Sequence, residues 1–596
     1  MKFKVYLTIL FFASFFSKAL SQSTFTPEPE KFLKDVQAFI GTYDKTKAKK
    51  YIKSFEPIWL GDFFTPDNKA LVYASLNSML EKKLRVYPDF ISYFDAIYNY
   101  SNSGMNSENF EKWNNTLDNV IKKYNNKRVQ DFLKVSNNLF LDGTIYVTSR
   151  TQKAATRWQV SKKDSFDIQF VKKLPVFIFK DVDLRCFSKN DSSVIRNTSG
   201  QFFPLTSIWK GNGGRIDWQR ARKDKDIYYA KVNNYNIGLK SSSYYIDSVL
   251  FYSSYFDYPI MGKLTEKVLS VISYKKVIYP AFESYSKRLN IKNVNNNKNI
   301  EFDGGFTIRG RNLYGSGSID NLSKLKLRYN DKEVLVAESI GFIINDEGVS
   351  SDKARIKFSL ASDSIIHPAS NLVFSEKTKT LTLSRGEDGI LAAPFYNSYH
   401  KIDMYVETLS WKVGEPLINF SAPKGTKSIK TAQFASLNFF DVKSYDNLNT
   451  DRGNILVSIR RYAELCGSNI FLINDLANHL RKSINDLQFI LFNLTEQGFI
   501  NYDSERKIVS CSEKLFNYIE NRSGKKDYDI MIINSDAETN AKLNLSSLDL
   551  NIYGVDRLAL SLKNKVWIKP GGKRLTLKKN RDLNFDGLIN AGKTQY

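Results

Sequence analysis

The sequence predicts a multidomain α+β chain. It has an N-terminal helical repeat, then a long antiparallel β-layer region (a solenoid or stacked sheet) with a short helical module inserted late in it. Three observations carry this. Apolar residues recur at helical spacing through the first quarter of the chain. From Leu141 the period changes to two, with Gly- and Asn-rich turns between the runs. Between 451 and 525 the helical period returns once. At 596 residues the chain exceeds one ordinary core, and 42% hydrophobic with 14% aromatic residues can fill several.

Residues 1–21 read as a secretory signal peptide. Lys2 and Lys4 precede the apolar run Tyr6–Phe16, and Ala19-Leu20-Ser21 sets small residues before Gln22. The run is too short to cross a bilayer, which takes ~20 residues, and no longer apolar stretch follows. Export to the periplasm, the outer membrane or the medium is expected, without a transmembrane span.

Residues 25–140 form the helical domain. Thr26 is the expected N-cap, with Pro27 at the first helical position and Phe32, Leu33, Val36, Phe39 and Ile40 behind it. Ala70–Leu84, Phe90–Tyr98 and the stripe Phe110, Trp113, Leu117, Val120, Ile121, Tyr124 predict further helices. The β-rich region, 141–450, contains strand-like runs at Thr144–Thr148, Leu174–Phe179, Lys324–Arg328, Ala354–Leu360, Thr380–Leu383 and Met404–Val413. Gly211-Asn212-Gly213-Gly214, Asn330-Asp331 and Gly386-Glu387-Asp388-Gly389 mark turns.

An internal echo suggests repeated layers. Phe302-Asp303-Gly304 leads into Phe306–Gly310, and Phe585-Asp586-Gly587 leads into Leu588–Gly592. Each reads as a strand, a Phe-Asp-Gly turn and a second strand, with Phe302, Gly304, Phe585 and Gly587 as packing residues. The second copy lies where β-rich sequence resumes, 526–596. It stops in an open hairpin, so the chain is expected to continue past Tyr596.

Residues 451–525 carry the most specific pattern. Ile455–Leu465 predicts a helix, Ile470–Ile473 a short apolar run, and Asn474 the cap of a helix ending at Leu480. Ser483 with Asp486 opens a helix that stops at Gly498, and two short strands flank Asp503-Ser504-Glu505-Arg506 before a last helix at Leu515–Ile519. The phrase Asp475–Asp503 resembles the core of a winged helix-turn-helix. DNA reading does not follow: the helix 484–497 has no Arg or Lys. Its Ile484, Leu487, Phe489, Ile490, Leu491, Phe492 and Leu494 exceed one buried stripe, so a second face should also be covered by protein. The whole order of parts resembles large exported β-repeat proteins of Bacteroidetes of unknown function, which implies an envelope or secreted location and imports no active residue.

Formal net charge is +25, which favours anionic partners, although the lysines are spread along the whole chain as on solvated faces. Three cysteines, Cys186, Cys466 and Cys511, exclude a disulfide framework; Cys466 and Cys511 are near enough in sequence to pair, and buried free thiols are the alternative. Trp209, Arg215, Trp218 and Arg220 around the glycine loop are candidates for holding an anion or sugar, with sheet packing as the competing reading. Asp582, Asn584 and Asp586 match the front of a calcium loop, but the twelfth position is Lys593, where a bidentate acid belongs. His367 is read in a strand connection, His400 in a polar loop and His479 in the module; none has a spaced nucleophile or carboxylate. The predicted function is therefore a non-catalytic scaffold or interaction protein without a cofactor. It would contact other envelope proteins or anionic envelope components. The alternatives are a β-groove carrier of lipid or lipopolysaccharide and a secreted carbohydrate-binding or carbohydrate-active protein.

Overall fold

Among the described residues six α-helices, α1 (Pro29–Gly41), α2 (Lys45–Leu60), α3 (Pro66–Glu81), α4 (Ile91–Ser101), α5 (Ser107–Lys123) and α6 (Asn126–Asp142), precede the strands. The computed structural model describes residues 25–592 and 594–595, apart from 153–154, 270–276, 295–296, 330, 422–430, 451–452 and 562–564. The expected signal peptide, Asn330 and Lys593 lie outside the described residues. The chain divides into two units, residues 1–254 with 258–283, and 255–257 with 284–596. No helix among the described residues is long and apolar enough to cross a membrane.

In the first unit, local caps fix the helix starts. Asp44, Thr65, Asn106 and Asn125 each accept a hydrogen bond from a backbone N–H in the first turn. The first helix starts later than expected. Pro29 takes the first turn behind Glu28, because the Asp35 carboxylate accepts from the Thr26 N–H at 2.9 Å and keeps that residue outside the helix. The apolar stripes fill one core, in which Phe32, Phe55, Trp59, Phe110 and Trp113 are fully buried. Polar ties cross it: Tyr93 OH donates to Asn114 Oδ1 (2.8 Å), and Trp113 Nε1 donates to Ser136 Oγ (2.9 Å). An antiparallel sheet follows, built on β1 (Leu174–Ser188) and β2 (Asp191–Phe203), and it continues to β3 (Ser243–Tyr252) and β4 (Ile260–Lys267).

In the second unit, antiparallel strands pair in succession. Those that position the site are β5 (Ile300–Arg309), β6 (Ser323–Tyr329), β7 (Lys332–Ser339), β8 (Gly348–Leu360), β9 (Asp363–Ser375), β10 (Phe395–Asn397), β11 (Ile402–Tyr405) and β12 (Ala432–Ser436). The long strands β8 and β9 each serve two sets of shorter neighbours, because bulges let one strand bend from one row into another. Met404–Val413, read as one strand, is two: Ile402–Tyr405 pairs with β12 and Thr408–Lys412 with Thr380–Ser384. His367 lies inside β9 instead of in a connection. Pro368 is tolerated there because, among the described residues, β9 has no strand partner on its β10 side between Ile366 and Asn371.

The first Phe-Asp-Gly is not a turn. Ile300–Arg309 runs straight through it as one strand. The buried Phe302 ring lies over neighbouring glycines: a Cβ on Gly304 would sit 2.7 Å from Phe302 Cζ and 2.6 Å from Ser323 Cβ. Glycine here makes room for an aromatic ring instead of bending the chain. In the second copy Leu583–Asn584 and Gly587–Ala591 are separate strands, and Asp586 and Gly587 are exposed.

Between β12 and its hydrogen-bonded neighbour β16 (Ile532–Ser535) runs a helical segment. It contains α7 (Ile455–Cys466), β13 (Ile470–Leu472), α8 (Ile473–Leu480), α9 (Ile484–Glu496), β14 (Ile500–Asp503), β15 (Ile508–Cys511) and α10 (Glu513–Arg522). Leu456, Ile459, Leu476, Leu487, Leu491, Tyr502, Val509 and Leu515 share its core. The expected Asn474 cap lies inside α8; Leu472 precedes that helix, and the Ile473 N–H donates to Lys507 O at 2.9 Å. Ser483 does cap α9, accepting from Asp486 N (3.1 Å) and donating to its carboxylate (2.6 Å).

Candidate functional site

The aromatic–arginine candidates do not form an open patch. Trp209 and Trp218 are fully buried. Gly200 faces the Trp209 indole so closely that a Cβ would lie 2.5 Å from it, so the glycines and tryptophans of this region pack the sheet. Arg220, half-buried, lies between two acids, its Nε 2.9 Å from Asp191 Oδ1 and its Nη1 2.6 Å from Glu266 Oε1. Both acids have side chains only 1% exposed. Burial pushes Glu266 up to about 7 and raises Asp191, against the pull of the Arg220 charge. Arg215 lies 3.9 Å over the Tyr229 ring, which stacks on Tyr252 at 4.7 Å, with Lys231 over the far ring. Each ring of this column thus already has one of the chain's own cations against it.

Asp582, Asn584 and Asp586 are exposed, and Leu583–Asn584 pairs as a strand with Leu577 and Thr576. Asn584 is thus held in a strand pair, whereas a calcium loop wraps its ligands around a point. Among the described residues no group of three or more His, Cys, Asp or Glu is placed to hold a metal. His367 Nε2 donates to Ala393 O (2.8 Å) and its Nδ1 accepts from Ala369 N (3.2 Å), which fixes the neutral tautomer; burial lowers its pKa to about 3. His400 is likewise buried, bonded through Nε2 to Leu548 O (2.9 Å) and lowered to about 4. His479 packs on Tyr462. All three cysteines are free thiols, with Cys186 buried, Cys511 half-buried and Cys466 exposed.

A cleft of about 890 Å³ lies in the second unit. One wall is the outer face of the three-stranded sheet β13–β15–β14, carrying Ile470, Ile508, Ser510, Asn501 and Asp503. The other is the outer face of β7, β8 and β9, carrying Glu338, Lys353, Arg355, Lys357 and Ile366. An ion pair between Lys353 and Glu505 joins the walls.

Among the residues lining the cleft, a buried cation ties the helical segment to β11. Lys514, in the first turn of α10, donates to Asp403 Oδ2 (2.9 Å), Tyr405 OH (3.1 Å) and Gln497 O (2.8 Å). The two charged side chains are 8% and 5% exposed. Burial lowers the Lys514 pKa, but the Asp403 carboxylate and the Tyr405 oxygen outweigh it and raise the group above its ordinary value. Nearby, α9 packs on the turn Gly389–Ala392: a Cβ on Gly389 would meet the Phe492 ring at 3.2 Å. That covers part of the second apolar face of α9, while Phe489 remains 69% exposed. The sequence gives no pointer to Lys514. Lys353, Arg355 and Lys357, however, stand at alternate positions, a strand-period signal that the charge count alone hides.

No protein-family model, curated protein or solved structure matches this chain.

Proposed function

We propose that this chain is an exported, non-catalytic contact scaffold of the cell envelope, in which a β framework presents an inserted winged-helix-like module to partner proteins. The class is a module-bearing β scaffold. The buried Lys514–Asp403 pair carries the reading, since it fastens the module to β11 at a fixed orientation. The order helix, strand, two helices, two strands, helix supports the winged-helix assignment, as does the sheet order β13–β15–β14. Two facts favour protein contact over DNA. Phe492 of α9 is committed to the turn at Gly389, and α9 carries no Arg or Lys for phosphates. The module also exposes Leu465, Ile470, Leu472 and Phe489, large apolar side chains suited to a protein surface. The Lys, Arg and Glu lining of the cleft favours a polar partner over an acyl chain. Purification of the tagged chain from the envelope fraction tests the reading. A stoichiometric partner that Phe489→Asp releases is expected; a chain found alone, or in the cytoplasm, overturns it.

A further inference from the structure

We propose that Arg220, Asp191 and Glu266 form a proton-operated latch on the end of β4: a proton on Glu266 keeps Lys267–Leu269 closed, and its loss lets that end of the strand open. The inference is independent of the scaffold reading.

The balance of charge carries it. Asp191 and Glu266 are both buried, and among the described residues Arg220 is the one cation paired with either. Two carboxylates and one guanidinium leave a negative charge uncompensated and out of water unless one acid is neutral. The bonding says which acid that is. Asp191 engages both its oxygens: Oδ1 faces Arg220 Nε, and Oδ2 accepts from the Leu269 N–H at 2.7 Å. Glu266 accepts from Arg220 Nη1 (2.6 Å) and from the Lys267 N–H (2.9 Å), and both bonds reach Oε1. Its Oε2 is left for the proton. The other titratable groups that act on Glu266 supply no charge to offset it. Cys186 on β1 and Tyr244, its cross-strand neighbour on β3, are both kept neutral by burial. Burial also holds Glu266 up at about 7, above its ordinary 4.5, against the pull of Arg220.

The same three side chains fasten the strand end. Glu266 and Lys267 are the last two residues of β4 and pair with Tyr244 and Ser243 of β3. Arg220, in the turn Gln219–Ala221, donates through Nη2 to Lys267 O at 2.7 Å, and Asp191 takes the Leu269 N–H. Between them the Val268 N–H donates to Ser242 O, and Ser242 Oγ donates to Val268 O, both at 2.9 Å. Once Glu266 ionises, a second negative charge shares the single guanidinium with Asp191. Opening this end returns the Glu266 carboxylate to water and breaks only these few bonds, while the core of the unit stays packed.

Peptide-resolved hydrogen exchange on the purified chain tests this at ~pH 6 and ~pH 8, after correction for the intrinsic pH dependence of exchange. A value of about 7 when closed against 4.5 when open makes opening of Lys267–Leu269 about tenfold more frequent at the higher pH. Glu266→Gln has no proton to lose and should show no such change. Amides of α5, in the same unit, should exchange more slowly than the latch at both pH values. An infrared band of a protonated carboxyl, present at ~pH 6 and weaker at ~pH 8, should be removed by Glu266→Gln. Latch exchange that does not change with pH, or changes equally in Glu266→Gln, overturns the proposal. Equal rates in the latch and α5 also overturn it, because Glu266 would then act only on unfolding of the whole unit. A carboxyl band unaltered by Glu266→Gln would place the proton on another acid and overturn it too.

Discussion

Replacing Lys514 with Met removes the cation from a site where it satisfies three oxygens at once. The Asp403 carboxylate, 5% exposed, is then left in the interior without a counter-charge. Breaking a buried pair in this way costs ~3–5 kcal/mol, because the remaining charge keeps its desolvation penalty and loses its attraction. Tyr405 and Gln497 lose the same donor, and that loss is already within the figure. Since a chain of two units need not unfold in one step, the readout is local: amide exchange across β14, β15 and α10. A loss of ~4 kcal/mol speeds exchange about a thousandfold where the module detaches as a unit. The second arm is Asp403→Leu with Lys514→Met, which replaces both charges by apolar groups and should return most of the protection. Exchange faster by less than about threefold in Lys514→Met would refute the argument. So would equal protection in the single and double variants, because the cost is assigned to the orphaned carboxylate.

Other outcomes follow from the buried polar groups and the glycines. Glu266 has a folded-state pKa raised from 4.5 to about 7, so the native form holds a proton there that the unfolded chain has released. Stability of the first unit should thus fall as pH rises between those values, by up to ~3 kcal/mol, and Glu266→Gln should flatten the profile in a urea-midpoint series. His367 gives the opposite sign: its pKa is lowered from 6.5 to about 3, so only the unfolded chain takes up a proton as pH falls below 6.5. Its contribution is complete above 6.5 and is lost progressively towards pH 3; His367→Gln should remove that acid-side slope. Gly304→Ala should destabilise the second unit by ~1–3 kcal/mol through the Phe302 ring, and Phe302→Leu should relieve part of it in thermal unfolding.

The helical start and the antiparallel remainder are legible in the sequence because both rest on local rules. Asp44, Asn106 and Asn125 sit one residue before their helices, and the stripe from Phe110 to Ile121 is buried as spaced. What misleads is contact between distant residues. Asp303-Gly304 reads as a turn because nothing local says that an aromatic ring will cover the glycine. Arg220 reads as a free cation because Glu266 is 46 residues away and arrives only when β4 pairs with β3. Similarly, Lys514 looks like one lysine among many until β11 brings Asp403 against it. The alternate bases of β8 are visible as a pattern, but only the neighbouring strands show that Lys357 lacks an acid.

The central claim, that the module is a contact surface of an exported scaffold, is tested most directly by photo-crosslinking in the producing cells. A photoreactive phenylalanine analogue is placed at Phe489 and, as a control, at exposed Tyr43 in the first unit. One discrete adduct from position 489, found in the envelope fraction and absent from position 43, is the predicted result. Identical diffuse adducts at both positions, or a chain retained in the cytoplasm, would contradict it.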